Sequence, residues 1–501
     1  MATAAGALAT LSFAPFGWWP LQLVALAVLF TLVDRARSVR QAAIAGWAFS
    51  FGWLAAGIWW LFVSMHRYGG LPAWMAVAAV ALLALALGLL AAGAMAAAAW
   101  LRQRGASRPA LLLAALPALW MLSEWLRGWV FTGFPWVVSG YAHTDGMLAS
   151  FSPVVGVYGI GYLAALLSAC LVLRDRRALA VAILVVVAGL GLRQMQWTEP
   201  HGNPINVRLL QGNVPQELKF EHSQVQAALT MYRDMITSQP ADLIATPETA
   251  LPMLVDRLPP DYLPSLQQFA DASGSHVALG VPISDGRDTY ANSVLGILPA
   301  TGRAPAAAYR YDKHHLVPFG EFIPPGALWF VRMMNIPLGD FTRGRLLQPA
   351  MQVKDQQVMP NICYEDLFGE EIAAQLADRW YAGELPATVL LNVSNIAWFG
   401  DTIALPQHLQ ISRMRSLETG RPMLRATNTG VTAVIDHRGE VGAQLPPYQR
   451  DSLTATVQGM RGATPYMLAG NLPVLILAAV LLLAIWRSAR RASASGRGKT
   501  R

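Results

Sequence analysis

Eight apolar runs set the first limit on what this chain can become. They fall at about 3–14, 19–33, 42–64, 73–101, 109–130, 150–173, 178–195 and 467–486. Most approach the ~20 residues that an α-helix needs to cross the hydrocarbon core of a bilayer. Backbone groups find no partner in lipid except within helices or closed barrels, so the pattern predicts an α-helical transmembrane bundle of about eight helices. Composition agrees: 14% of the residues are charged, against about 25% in soluble domains. The first run lacks a basic leader and an obvious small-residue cleavage site; it reads as a retained helix and not as a signal peptide.

Arginine placement orients the runs. Arg35, Arg37 and Arg40 follow the second, Arg102, Arg104 and Arg108 the fourth, and Arg174, Arg176 and Arg177 the sixth. Between Phe13 and Pro20 there is no charge, and between Met65 and Pro72 only Arg67. The tail carries Arg487, Arg490, Arg491, Arg497, Lys499 and Arg501. The basic side is cytoplasmic, which puts both termini in the cytoplasm and everything from about 200 to 462 outside it. The net charge of +8 is therefore a topology signal. No basic patch is interleaved with exposed aromatics, so nucleic acid is not expected as a partner.

The expected domains are 1–199 (about seven helices), 200–462 (extracytoplasmic), 463–487 (the last helix) and 488–501 (a basic tail). Within 200–462, Val207–Leu210, Leu243–Ala245, Val277–Val281, Ser293–Leu298, Thr388–Val393 and Thr432–Ile435 are short β-rich runs. Ser223–Ile236, Tyr262–Ser273, Glu370–Leu376 and Gln407–Glu418 are amphipathic and helical. Alternation of this kind predicts a layered α/β domain with helices covering its sheet.

Three blocks there carry ionisable groups in or beside short apolar stretches: Ile244–Ala250 with Pro247-Glu248, Tyr311–Glu321 with Lys313, and Asn361–Asp366 with Cys363. Cys170 lies inside an apolar run and reads as a packed hydrophobe; no disulfide between two such different sites is expected. A free thiol is mostly protonated at neutral pH and needs a base or a nearby cation. Glu248 is the candidate base and Lys313 the candidate cation, able to lower the thiol pKa and stabilise an oxyanion. His314 and His315 are adjacent and point to opposite faces of a strand, so no metal is expected, and no cofactor either. Phe134 and Trp136, in the Phe131–Gly146 loop, read equally as interfacial anchors and as substrate contacts. Glu124 and Arg127 could pair with each other or meet a phosphate.

The ordered Pro-Glu, Asp-Lys-His-His-Leu-Val-Pro-Phe-Gly-Glu-Phe and Ile-Cys-Tyr-Glu blocks resemble the nitrilase (carbon–nitrogen hydrolase) superfamily. Within it the chain is similar to the apolipoprotein N-acyltransferase family. Phe13-Ala14-Pro15, Glu124–Gly128, Thr132–Trp136, Ala397–Gly400 and Gln407-His408 extend the resemblance over nearly the whole chain. It implies an αββα nitrilase-like domain on the periplasmic side of a bacterial inner membrane. It also implies a cysteine thioester formed from a phospholipid and passed to the α-amine of a diacylglyceryl-modified apolipoprotein. Glu248, Lys313 and Cys363 would be base, cation and nucleophile. Glu321 would orient Lys313 or Glu248, Tyr364 and Glu365 would shape the oxyanion and amine side, and Phe220 and Trp398 would be supporting aromatics. The chain departs from the family at Thr246 and Phe220, where tryptophan is common, and at Ile396, where aspartate is usual. A monomer needs no further assumption.

Two rivals follow from the same residues. A membrane-tethered amidase would discharge its thioester to water. A transporter would carry ionisable groups or broken helices near the midplane, and the apolar runs here are nearly free of interior charge.

Overall fold

The computed structural model describes residues 1–216, 222–286, 289–300, 308–323 and 341–497. Phe220, Pro324, Pro325, Gly326 and Gly339 lie outside them. The chain divides into two compact units. One holds residues 1–62, 72–196 and 469–501; the other holds 197–468 and also Val63–Leu71.

The first unit is helical. Among the described residues, Ala73–Gln103, Arg108–Arg127, Ala149–Leu173 and Leu472–Arg491 are long and apolar enough to cross a membrane. Val39–Gly57 and Leu61–Tyr68, bent by 61°, would make a fifth span. Trp19–Arg35 and Arg176–Leu192 are helices of 17 residues, and Ala2–Ser12 is shorter still. Several apolar helices are therefore present, four or five of them of spanning length, where the run count predicts eight. Small residues let backbones close up, as in membrane helix pairs generally. A Cβ on Gly6 would lie 2.0 Å from the Phe49 carbonyl oxygen, and one on Gly52 2.0 Å from that of Thr3. Arg127 lies 3.8 Å from Glu124 and donates to the Phe134 carbonyl at 3.2 Å. The pair thus ties down the following loop. Trp136 is buried with its ring 4.7 Å from Trp60, which rules out an interfacial anchor there; the loop's exposed aromatic is Phe131.

The second unit is built from β1 (Thr198–Pro200), β2 (Ile205–Gln211), β3 (Leu243–Ala245), β4 (His276–Ser284), β5 (Tyr290–Ile297), β6 (Tyr309–Asp312), β7 (Met351–Val353), β8 (Gln356–Ile362), β9 (Val389–Ser394), β10 (Met423–Thr427), β11 (Ala433–Ile435), β12 (Val441–Gln444), β13 (Asp451–Val457) and β14 (Met460–Gly462). They form two six-stranded sheets, β13-β2-β3-β4-β5-β6 and β12-β11-β10-β9-β8-β7, with β1 and β14 as a separate pair. Each large sheet has a parallel core, β2-β3-β4 in one and β8-β9-β10 in the other, flanked by antiparallel strands.

Side chains alternate between faces as the pleat requires. Val207, Leu209, Leu243 and Ala245 of one sheet meet Val358, Ile362, Leu391 and Val393 of the other in a shared core. The opposite faces are covered by helices. Leu229, Tyr232, Leu266 and Ala270 pack on Leu210 and Ile244, while Ile372 and Leu376 pack on Met359 and Leu390. Each fully buried aliphatic side chain contributes about 1.5–3 kcal/mol, so the layering is an αββα sandwich held from inside and out. Strands covered on both faces read as continuous apolar runs, as β3 and the Val389–Leu391 stretch of β9 do. Pro360 is tolerated in β8 because β7 pairs with it only as far as Val358.

Candidate active site

The chemistry-bearing residues gather past the C-terminal ends of β3, β6 and β8, and strand ends are where open α/β sheets present their sites. β3 runs into Thr246-Pro247-Glu248, and that turn presses against β4. A Cβ on Gly280 would stand 2.0 Å from the Pro247 carbonyl oxygen, so only glycine admits the approach. Thr246, one of the departures from the family, is buried and accepts the Gly280 N–H at 2.9 Å. Thr249 and Cys363 both hold positive φ, 49° and 54°, a conformation that costs a non-glycine residue about 1–3 kcal/mol.

Lys313 follows β6, and its Nζ donates to Glu248 Oε1 at 3.0 Å and to Glu321 Oε1 at 2.8 Å. Asn292, on β5, repeats the bridge with its amide, donating to Glu248 Oε1 at 2.7 Å and Glu321 Oε1 at 2.8 Å. The second oxygen of Glu248 accepts the Asn395 N–H at 2.9 Å, and that of Glu321 accepts the Val317 N–H at 2.9 Å. Two carboxylates thus share one ammonium and one amide. Burial opposes the charge on Lys313, but Glu248 and Glu321 outweigh it and hold the ammonium above the usual lysine range.

Cys363 opens a short 3-10 turn after β8 and keeps partial exposure. Burial in its surroundings and the negative Glu248 push its thiol well above the ordinary value; Lys313 and the Asn395 N–H pull the other way. The resting group is therefore a neutral thiol.

Glu365 ties the two sheets together. Its Oε1 accepts the His314 N–H at 2.6 Å and the His315 N–H at 3.2 Å, beside the end of β6. Its Oε2 accepts the Ile362 N–H at 2.6 Å and the Tyr311 hydroxyl at 3.1 Å. Burial raises its pKa to about 7 despite the Ile362 N–H, Lys313 and the His314 N–H. The ring of Tyr364 lies 5.3 Å from that of Phe368 and 5.7 Å from that of His315. Trp398 is half-buried, with its ring 5.7 Å from that of Tyr68. The adjacent histidines separate: His314 Nδ1 meets the Gly344 carbonyl at 2.9 Å and His315 Nδ1 meets Glu371 at 2.8 Å.

Sequence reasoning misses Asn292 and Asn392, and it picks out His408 only as part of the resemblance, with no role. Asparagine is disfavoured inside a strand, so a buried Asn292 between Ala291 and Ser293 was the available signal.

Residues 5–170 match the profile described as the apolipoprotein N-acyltransferase N-terminal domain, and residues 206–466 match the carbon–nitrogen hydrolase profile. An apolipoprotein N-acyltransferase of Ralstonia nicotianae is 51% identical over 99% of this chain and 94% of its own length. One from Bordetella bronchiseptica is 43% identical over 97% of this chain and 96% of its own. Among solved structures, Saccharomyces cerevisiae Nit3, of the nitrilase superfamily, aligns with 16% identity and a TM-score of 0.38, covering 52% of this chain and 93% of that one.

Proposed function

The chain belongs to the apolipoprotein N-acyltransferase family, and from that premise we propose that it moves a fatty acyl chain from a membrane phospholipid to the N-terminal amine of a diacylglyceryl-cysteine apolipoprotein through Cys363. The observation that supports this reading is the sharing of Lys313 between Glu248 and Glu321 beside a neutral thiol. A base, a cation that stays charged and a nucleophile are what acyl transfer through sulfur requires.

In the first half-reaction Sγ attacks the ester carbonyl and its proton passes to Glu248. Lys313 stabilises the oxyanion. The C–O bond then breaks, and Glu248 returns the proton to the departing lysophospholipid oxygen, leaving a thioester. In the second half-reaction the acceptor amine attacks that thioester and Glu248 takes the amine's proton. The C–S bond breaks and the proton returns to sulfur, regenerating the thiol. Glu321 and Glu365 are positioning residues in this scheme, acting on Lys313 and on the turn that carries Cys363. No metal or cofactor is needed. The arginine clusters support eight spans, a periplasmic 200–462 domain, cytoplasmic termini and a 488–501 tail; a monomer needs no further assumption.

Intact-mass spectrometry of the purified protein with phospholipid vesicles, beside Cys363→Ala, tests the reading. The expected result is a fatty-acyl adduct on the unsubstituted enzyme alone, discharged by a diacylglyceryl lipopeptide and only slowly by water. An adduct on Cys363→Ala, no adduct at all, or fast loss to water would overturn it.

A further inference from the structure

The turn that carries Cys363 is gripped through its carbonyl. His408 Nε2 and Asn392 Nδ2 each stand 3.3 Å from the Cys363 oxygen, and Arg425 Nη2 lies 2.9 Å from His408 Nδ1. Glu248 has a support of its own, built from three buried amides that the scheme above leaves unused: Gln216, Asn395 and Asn428. They follow β2, β9 and β10 in the chain, so the group joins strand ends from both large sheets.

The amide orientations propagate from one backbone unit. Val214 donates its N–H to Asn428 Oδ1 at 2.9 Å, and its carbonyl accepts from Asn428 Nδ2 at 2.8 Å. A backbone N–H can only donate and a carbonyl can only accept, so the Asn428 amide fits one way round. Its Nδ2 also donates to Asn395 Oδ1, at 3.1 Å. That leaves Asn395 Nδ2 to donate to Gln216 Oε1 at 2.9 Å. Both polar atoms of the Asn395 side chain are thereby held.

The main chain is held as well. The Ser394 carbonyl accepts the Asn428 N–H at 3.1 Å. A trans peptide is planar, so its C=O and the following N–H point in opposite directions. On the far side of that peptide the Asn395 N–H donates to Glu248 Oε2 at 2.9 Å, while Lys313 and Asn292 hold the other oxygen, Oε1. We propose that Asn428 and Gln216 are positioning residues for acyl transfer: they lock the Ser394–Asn395 peptide, whose N–H holds the second oxygen of the base. Gripping both oxygens stops the carboxylate from turning about its last bond, a torsion that is otherwise broad. This inference rests on the acyl-transfer reading, in which Glu248 is the base.

The test uses the full-length enzyme with Gln216→Glu, Gln216→Leu and Asn428→Ala. Acyl-adduct formation from phospholipid vesicles gives a maximal rate and a KM for phospholipid. Glutamate keeps an oxygen to accept Asn395 Nδ2, whereas leucine, of similar size, has none. Asn428→Ala should lower the maximal rate about 10²-fold, the loss that a misplacement of about 1 Å brings, with KM within about threefold. Gln216→Leu should fall about tenfold, the worth of one hydrogen bond, and Gln216→Glu should stay within about threefold. Equal rates for glutamate and leucine at 216, both normal or both slow, would overturn the inference. So would a rise in KM that accounts for the losses, because a disordered site binds lipid poorly and a misaimed base does not. Should Asn428→Ala fail to fold, the pair at 216 decides. No adduct on the unsubstituted enzyme overturns the acyl-transfer reading and this inference with it; an adduct formed equally fast by every variant overturns the inference alone.

Discussion

The two sheets of the catalytic unit share a strand plan and divide the chemistry. The sheet built on β2-β3-β4 supplies Glu248, Asn292 and Lys313, a cluster of charges with an amide between them. The sheet built on β8-β9-β10 supplies Cys363, Asn392 and Arg425, and the helix Ala404–Thr419 that follows β9 adds His408; these groups grip the turn of Cys363. One half gathers charge; the other gathers hydrogen bonds to the turn that carries Cys363. Each half can therefore be altered with a different signature.

The largest effect is expected at Lys313→Met. It removes the cation from between two carboxylates and should slow acylation by about 10³-fold or more. It should also destabilise the protein by about 3–5 kcal/mol, because breaking a buried pair leaves charge uncompensated. Single-turnover mass spectrometry and the thermal midpoint in detergent report the two losses. Near-normal acylation would remove Lys313 from the chemistry and break the division between the sheets.

Asn292 comes next. Asn292→Leu forfeits two hydrogen bonds to charged groups, each worth about 1.5–3 kcal/mol, and should slow acylation by about 10- to 100-fold. Asn292→Asp adds negative charge beside Glu248 and Glu321. It should therefore move the pH at which iodoacetamide alkylates Cys363 upward, since a like charge disfavours thiolate. His408→Asn should leave that pH profile in place. If both substitutions shift the profile alike, the comparison collapses.

The smallest change in rate, and a distinct change in stability, is expected from Glu365, which touches both sheets. Its folded pKa of about 7 lies above the ordinary 4.5, so the folded state binds this proton more tightly than the unfolded chain. The stability it contributes is complete below pH 4.5 and is lost as pH rises through 7, a change of about 3 kcal/mol. Thermal midpoints taken between pH 4.5 and 8 should fall more steeply for the unsubstituted protein than for Glu365→Gln. Parallel slopes would show that Glu365 does not titrate there.

The layered α/β plan and the Glu248, Lys313 and Cys363 blocks were legible because apolar alternation and local motifs are properties of short stretches. The strands that deliver two of those blocks were not. β6 is only Tyr309–Asp312, and β8 carries Gln356, Gln357 and Pro360, residues that strand propensity penalises. Asn292 and the contact made by His408 escaped for a different reason. Their partners lie 44 residues away in Glu248 and 45 away in Cys363, and no local pattern encodes such a pairing. Trp136 misled because an aromatic in a loop between apolar runs looks the same whether it faces lipid or packs against Trp60.

Val63–Leu71, short as it is, bears on how such a chain can be taken apart. It falls inside the range of the N-terminal profile, yet it groups with the catalytic unit, where Tyr68 meets Trp398 edge to face. The hydrolase region is therefore not a cassette that can be cut at residue 197 and spliced elsewhere. A graft onto another membrane half would inherit a bare Trp398 face unless the new host brought its own counterpart of Tyr68. The two halves of this gene are thus coupled in inheritance by nine residues that their sequence profiles assign to the other side.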